Sequence, residues 1–224
     1  MTRLLCLLAA LTLLIASPAR ADSVNDRLAP IQKQWAIIKY ETPDKDKRLS
    51  AIRALVADAA KLAEAAPARA EPRIWHAIAL ATEASFNRGL SSLPLVKQAK
   101  AELETAIKID ANALNGLAYT YLGSLYDQVP GWPIGFGDAD KADAMFKKAL
   151  EIKPDSIDAN YFYGQYLLGK GKNEQALTVL KTGLAAPDRP GRKLADEGRR
   201  QELRELIAQA EMKSQKPPVS SLNK

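Results

Sequence analysis

One cysteine, Cys6, and one histidine, His76, are the whole supply of thiol and imidazole groups in this 224-residue chain. That scarcity leaves too few nitrogen and sulfur ligands for a metal site, and neither a His-Glu-x-x-His nor a Cys-x-x-Cys pattern occurs. A Gly-x-Ser-x-Gly elbow is also missing. A Ser-His-Asp arrangement would have to use His76, beside Trp75, with nothing local to mark a nucleophile. Glu102 and Glu104 fall on different sides of one helix, among lysines, and so do not pair. The expectation is no catalytic residue, no metal and no cofactor, with His76 a structural or surface residue. Strand patterns are absent too: no run of alternating β-branched residues appears.

Long hydrophobic runs are confined to the N-terminus. Thr2-Arg3 gives a short positive region and Leu4 to Ala16 an uncharged apolar run. Ser17-Pro18-Ala19-Arg20-Ala21 then ends in an Ala-x-Ala pattern before Asp22, the layout of a cleavable secretory signal over residues 1–21. The apolar run is shorter than the roughly 20 residues of a spanning helix. Cys6 precedes the apolar core, so a lipoprotein cleavage site is not formed. The chain reads as periplasmic or secreted, beginning at Asp22 when mature, with no stable membrane insertion after cleavage.

A strong excess of one charge is lacking as well. Without Arg3 and Arg20, 30 basic residues remain against 26 acidic ones, a net charge of +4. Opposite signs interleave along the chain, as at Asp138, Asp140, Lys141, Asp143, Lys147 and Lys148. The densest basic stretch, Arg189 to Arg200, is diluted by Asp196 and Glu197. This is a solvated surface and not a nucleic-acid track. With no cysteine in the mature chain, stability has to come from a packed core, which about 200 residues can supply.

What is present is helical periodicity. Apolar spacings of three and four predict helices near 25–40, 47–66, 72–88, 95–110, 113–128, 139–152, 156–170, 173–185 and 194–212. Pro43, Pro72, Pro94, Pro154 and Pro187 punctuate them, and Asp155 and Asn173 are candidate N-caps. Residues 214–224, with Pro217-Pro218 and little that is apolar, read as a disordered tail.

The helices repeat. Ala142, Phe146, Ala149 and Pro154 align with Ala176, Leu180, Gly183 and Pro187, and with Ala99, Leu103, Ala106 and Ala111. Each set follows a helix with its own signature: Trp75-x-x-Ile78-Ala79-x-x-Thr82, Tyr119-x-x-Leu122-Gly123-x-x-Tyr126 and Asn160-x-x-Tyr163-Gly164-x-x-Leu167. The pattern resembles the tetratricopeptide repeat. The resemblance implies an all-α domain over 22–213, built of antiparallel helix pairs stacked as a superhelix. Residues 25–66 fit as a degenerate first pair with Trp35 and Leu55 as landmarks.

Two repeats are longer than the third. Gly164 to Ala176 spans 12 residues, Gly123 to Ala142 spans 19 and Ala79 to Ala99 spans 20. The enlarged turns are Val129–Asp138 and the segment Phe86-Asn-Arg-Gly-Leu-Ser-Ser-Leu-Pro-Leu-Val96. Such insertions collect on one edge of repeat proteins. The glycines at 131, 135 and 137 are followed by Asp138, a helix cap that would compete with an anion, so a phosphate loop is excluded. A rigid Pro- and Gly-rich turn either tucks Trp132 and Phe136 into the stack or holds them out for a partner. The cost of an exposed tryptophan makes tucking in the expectation.

The segment Val129 to Asp138, followed by Lys141-Ala142, is also similar to a loop in periplasmic repeat proteins of the TRAP-transporter T-component type. That resemblance implies a protein partner, the substrate-binding protein of a tripartite transporter. The repeat family's register carries groove positions onto Arg73, His76, Leu80 and Glu83, onto Leu117, Thr120, Ser124 and Asp127, and onto Asp158, Tyr161, Gln165 and Leu168. The binding candidates are therefore His76, Glu83, Thr120, Ser124, Asp127, Tyr161 and Gln165, with Trp132 and Phe136 on the loop. An adaptor binding a protein is the leading reading, and a soluble carrier of a small organic ligand is the second. Self-association is left open.

Overall fold

Apolar spacing decides which side of each helix goes inward, and the first three members of each aligned set go inward, while Ala111, Pro154 and Pro187 do not. Ala99, Leu103 and Ala106, Ala142, Phe146 and Ala149, and Ala176, Leu180 and Gly183 are the buried residues of three helices, each the second of a pair. The computed structural model describes residues 19–87 and 89–215. Of the expected leader (1–21) and the expected tail (214–224), residues 1–18 and 216–224 lie outside the described residues.

Nine α-helices occur among the described residues: α1 (Ala19–Tyr40), α2 (Lys45–Ala65), α3 (Ala70–Phe86), α4 (Leu93–Ile109), α5 (Leu117–Gln128), α6 (Ala139–Ile152), α7 (Ile157–Gly169), α8 (Asn173–Leu184) and α9 (Lys193–Gln215). The last helix continues two residues into the segment read as tail. Among the described residues no helix is long and apolar enough to cross a membrane.

Caps account for several starts. Asp44 accepts from Lys47 N at 2.9 Å, and Asp138 accepts from Asp140 N and Lys141 N at 3.1 and 3.0 Å. Two expected caps are corrected. Ser156 caps α7, accepting from Ala159 N at 3.3 Å, while Asp155 pairs with Lys153 at 2.7 Å. Asn173 is already inside α8, whose cap position is Lys172. At α7 the extended backbone of the true cap falls one residue after the side chain that looked suited to it, and at α8 the cap position has no side-chain cap at all.

Within a pair, a small residue on the first helix receives a large one from the second. A Cβ on Gly123 would meet Phe146 Cε1 at 2.8 Å, and one on Gly164 would meet Leu180 Cγ at 2.5 Å. Ala79, the equivalent residue of α3, is fully buried. Trp35 and Leu55 are buried as well, so α1 and α2 extend the stack at its front. Trp35 packs edge-on to Trp75, with ring centroids 5.8 Å apart, and its Nε1 donates to Thr82 Oγ1 at 2.9 Å.

The odd-numbered helices form the inner row, since α1 touches α3, α3 touches α5, α5 touches α7 and α7 touches α9. The row then closes on itself, because α9 also packs against α1. Gly198 permits this approach, as a Cβ there would lie 2.5 Å from the Tyr40 ring. Tyr40 and Lys39 both reach Glu202 across the seam, at 3.2 and 2.9 Å. An open superhelix has become a ring.

Candidate functional site

Ring closure turns the expected groove into a cavity of about 740 Å³, open on one side. Every inner helix contributes. Trp35 and Lys39 come from α1, Thr82, Ser85 and Phe86 from α3, and Tyr121, Ser124, Leu125 and Gln128 from α5. Tyr161, Phe162 and Gln165 come from α7, and Arg199 and Glu202 from α9. Both enlarged turns join them: Leu90, Ser92, Leu93 and Val96 from one side, Val129 and Pro130 from the other.

Of the residues expected in the groove, Ser124, Tyr161 and Gln165 line this cavity. The others do not. His76 is buried with Nδ1 3.4 Å from Glu102 Oε1 on α4, beside Arg73, whose Nη1 is 2.8 Å from Glu102 Oε2. His76 and Arg73 hold the Glu102 carboxyl below its usual range against the effect of burial. Glu83 is buried and bound by Arg53 Nε of α2 at 3.1 Å. Thr120 is buried and Asp127 half-buried, both off the cavity wall, and burial pushes the Asp127 carboxyl up. The physical reason lies in the partners. Charges on neighbouring helices fix the rotation of α3, so that Arg73, His76 and Glu83 face α2 and α4 while Thr82 and Ser85 turn inward.

Asp158, also expected on an open wall, is instead the centre of a buried ionic cluster. Its Oδ1 accepts from Arg199 Nε at 2.9 Å and its Oδ2 from Arg189 Nη1 at 2.7 Å. Arg189 also binds Asp196 at 2.5 Å, and Arg199 binds Glu202 at 2.6 Å. Burial opposes ionisation of Asp158, but Arg189, Arg199 and Arg192 outweigh it and hold the carboxyl well below the usual range. The Arg199 guanidinium lies 4.0 Å from the Tyr161 ring centroid, and Arg192 stacks 4.8 Å from that of Trp75. Arg189, Arg192 and Arg199 of the basic stretch therefore turn inward, while Lys193 stays exposed. Lys39, Arg199 and Glu202 were missed because α1 and α9 carry no groove register.

Lys39 supplies a pH signature. Burial, then the charge of Arg199, lower its pKa from 10.5 to about 8, with Glu202 and Asp158 opposing. Between about pH 8 and 10 the unfolded chain keeps a proton that the folded one has lost, so this group makes stability rise with pH. Above 10, the raised pKa values of buried Tyr40 and Tyr121 act the other way. Denaturant titrations at about pH 7.5, 9 and 10 should show the rise in the wild type and a flatter profile in Lys39→Met. Identical profiles would place Lys39 in water.

The 129–138 loop splits its aromatics. Its two legs are joined where Gly137 N donates to Pro130 O at 3.0 Å, and Asp138 N to Tyr126 O at 2.8 Å. Gly135 and Gly137 allow this, since a Cβ on the first would lie 2.9 Å from Val129 Cγ1 and on the second 3.0 Å from Pro130 C. Phe136, next to the joined base, packs edge-on to Tyr126 at 5.9 Å. Trp132 lies beyond that base and is 90% exposed, with Ile134 52% exposed beside it. The expectation of tucking in therefore holds for Phe136 and fails for Trp132. Lys100 Nζ, 5.8 Å from the Phe136 ring, and Lys141 Nζ, 5.7 Å from that of Tyr126, flank a shallow recess under Trp132.

Comparison with known proteins agrees with this architecture. No curated protein sequence matches the chain. Residues 134–191, which hold α6, α7 and α8, match the tetratricopeptide repeat family model. A thermophilic tetratricopeptide repeat protein of Thermus thermophilus is similar in structure, with a TM-score of 0.55 and 20% identity over 87% of this chain and 93% of that one. In fold, the chain is a tetratricopeptide-like stack of helix pairs.

Proposed function

We propose that the chain is an exported tetratricopeptide-like adaptor, linked to a solute-transport system, that engages a protein partner through the tip of its 129–138 loop. A periplasmic substrate-binding protein is the proposed partner. The observation that carries this reading is Trp132, 90% exposed beside Ile134 on a turn whose base is bonded and packed. A large aromatic held rigidly in water loses little freedom on binding, and such residues dominate interface energy. The groove, which is the usual contact surface for this kind of stack, is enclosed here by α1 and α9.

Trp132→Ala tests it. Because the side chain is exposed, helicity should be unchanged and stability should move by no more than about 0.5 kcal/mol. Affinity for the partner, co-purified from periplasmic extract and then titrated in isolation, should fall by more than about tenfold. Equal affinity in wild type and variant would rule the loop out as the recognition element. A second reading, a soluble carrier of a small organic ligand, is favoured by the cavity, whose volume lies in the range of small-molecule sites.

A further inference from the structure

We propose that the ring-enclosed cavity takes an amphipathic organic anion, its acidic head on the Lys39–Arg199 side and its apolar body against the two enlarged turns. This rests on the carrier reading and names its ligand class. The two walls differ in chemistry. The seam side presents Lys39, Arg199 and Glu202, whereas the α3–α5 side presents Phe86, Leu90, Leu93, Leu125 and Val129. Leu90, Leu93 and Val129 come from the segments that lengthen two repeats beyond the third, so the insertions build the apolar wall. Leu90 is 68% exposed.

The charge on the seam side is unbalanced. Of the charged groups lining the cavity, Lys39 and Arg199 are positive and Glu202 negative, and the cluster continues behind that wall through Asp158, Arg189, Asp196 and Arg192, four positive groups against three negative in all. Arg192 forms no ion pair among the described residues and rests on Trp75. Arg199, almost wholly buried, keeps Nη2 without a hydrogen-bond partner, and Arg192 keeps Nε without one. A buried cluster with one excess positive charge is costly, and an entering anion would balance it. A neutral or cationic ligand would leave it uncorrected.

Isothermal titration of the full protein with octanoate, octan-1-ol and octylamine separates the outcomes. Octanoate should bind one to one, about tenfold to a hundredfold more tightly than octan-1-ol, the range for one charge-assisted contact. Lys39→Met should abolish that preference while leaving octan-1-ol binding intact. The variant is expected to fold, because Glu202 keeps Arg199 and Tyr40 as partners, and its melting curve verifies this. Equal binding of octanoate and octan-1-ol, or preference for octylamine, would overturn the anion and leave a carrier. A preference retained in Lys39→Met would overturn the placement of the head. No binding of any of the three would overturn both the anion and the carrier.

Discussion

Replacing Asp158 with alanine is expected to destabilise the protein by about 3–5 kcal/mol, the cost of stripping one partner from a buried ion pair. The carboxylate is 5% exposed and is the only acidic group among the described residues that joins Arg199 of α9 to Arg189 of the segment before it. Without it, two guanidiniums share Asp196 and Glu202 with Lys39 close by, and the excess positive charge of the cluster doubles. The damage should be local first. Hydrogen exchange should show α9 losing protection ahead of α5 and α6, because α9 is held to α7 and α1 largely through these groups. Asp158→Asn keeps an acceptor for one arginine and should recover part of the loss. Urea unfolding within about 1 kcal/mol of wild type would mean that the cluster is solvated and contributes little. Acid should act the same way. The lowered pKa of Asp158 contributes stability that is complete above its unfolded value and lost as pH falls through its folded one.

Gly164→Leu is expected to cost more than the roughly 1–3 kcal/mol typical of an overpacked core. A Cβ alone would stand 2.5 Å from Leu180 Cγ, and three further carbons would follow it between α7 and α8. Leu180 is fully buried and cannot swing into solvent, so the helix pair has to part. Pairing the change with Leu180→Ala should return part of the stability, a coupling that distant sites would not show. Gly169, on the same helix, is the control: a Cβ there meets nothing within 4 Å. Gly169→Ala should be neutral or stabilising by up to about 1 kcal/mol. If both substitutions behave alike, the close approach of α7 and α8 is not what glycine provides at 164.

The same pair shows how much of the fold could be read in advance. Ala176, Leu180 and Gly183 step at helical spacing and all three are buried, as are the first three members of the sets in α4 and α6. Such steps are local, and local spacing determines which face of a helix is apolar. The two turn insertions were legible for the same reason, by counting from Gly123 and Ala79 against Gly164. Ring closure left no comparable trace. Tyr40 and Glu202 are 162 residues apart, and neither belongs to a repeat signature. Groove positions carried over from an open stack therefore failed where ion pairs with a neighbouring helix set the helix rotation, as at Glu83 with Arg53. Trp132 was misplaced because the loop's hydrogen-bonded base, which projects it outward, depends on backbone contacts between residues seven and twelve apart.

A linear stack of repeats has two ends, and each end lacks a neighbour, so such arrays fray inward from their terminal units. Here the two elements that would fray, α1 and α9, stabilise each other. Opening the molecule then requires breaking a hoop at its clasp, with Gly198, Tyr40 and Glu202 as the fastening. Until that clasp forms, the chain is an ordinary array and its cavity is an open trough. The chain also has to close a loop of about 160 residues, a step whose entropic cost grows only logarithmically with length. The clasp therefore completes the cavity wall, and the side left open is where a ligand would enter.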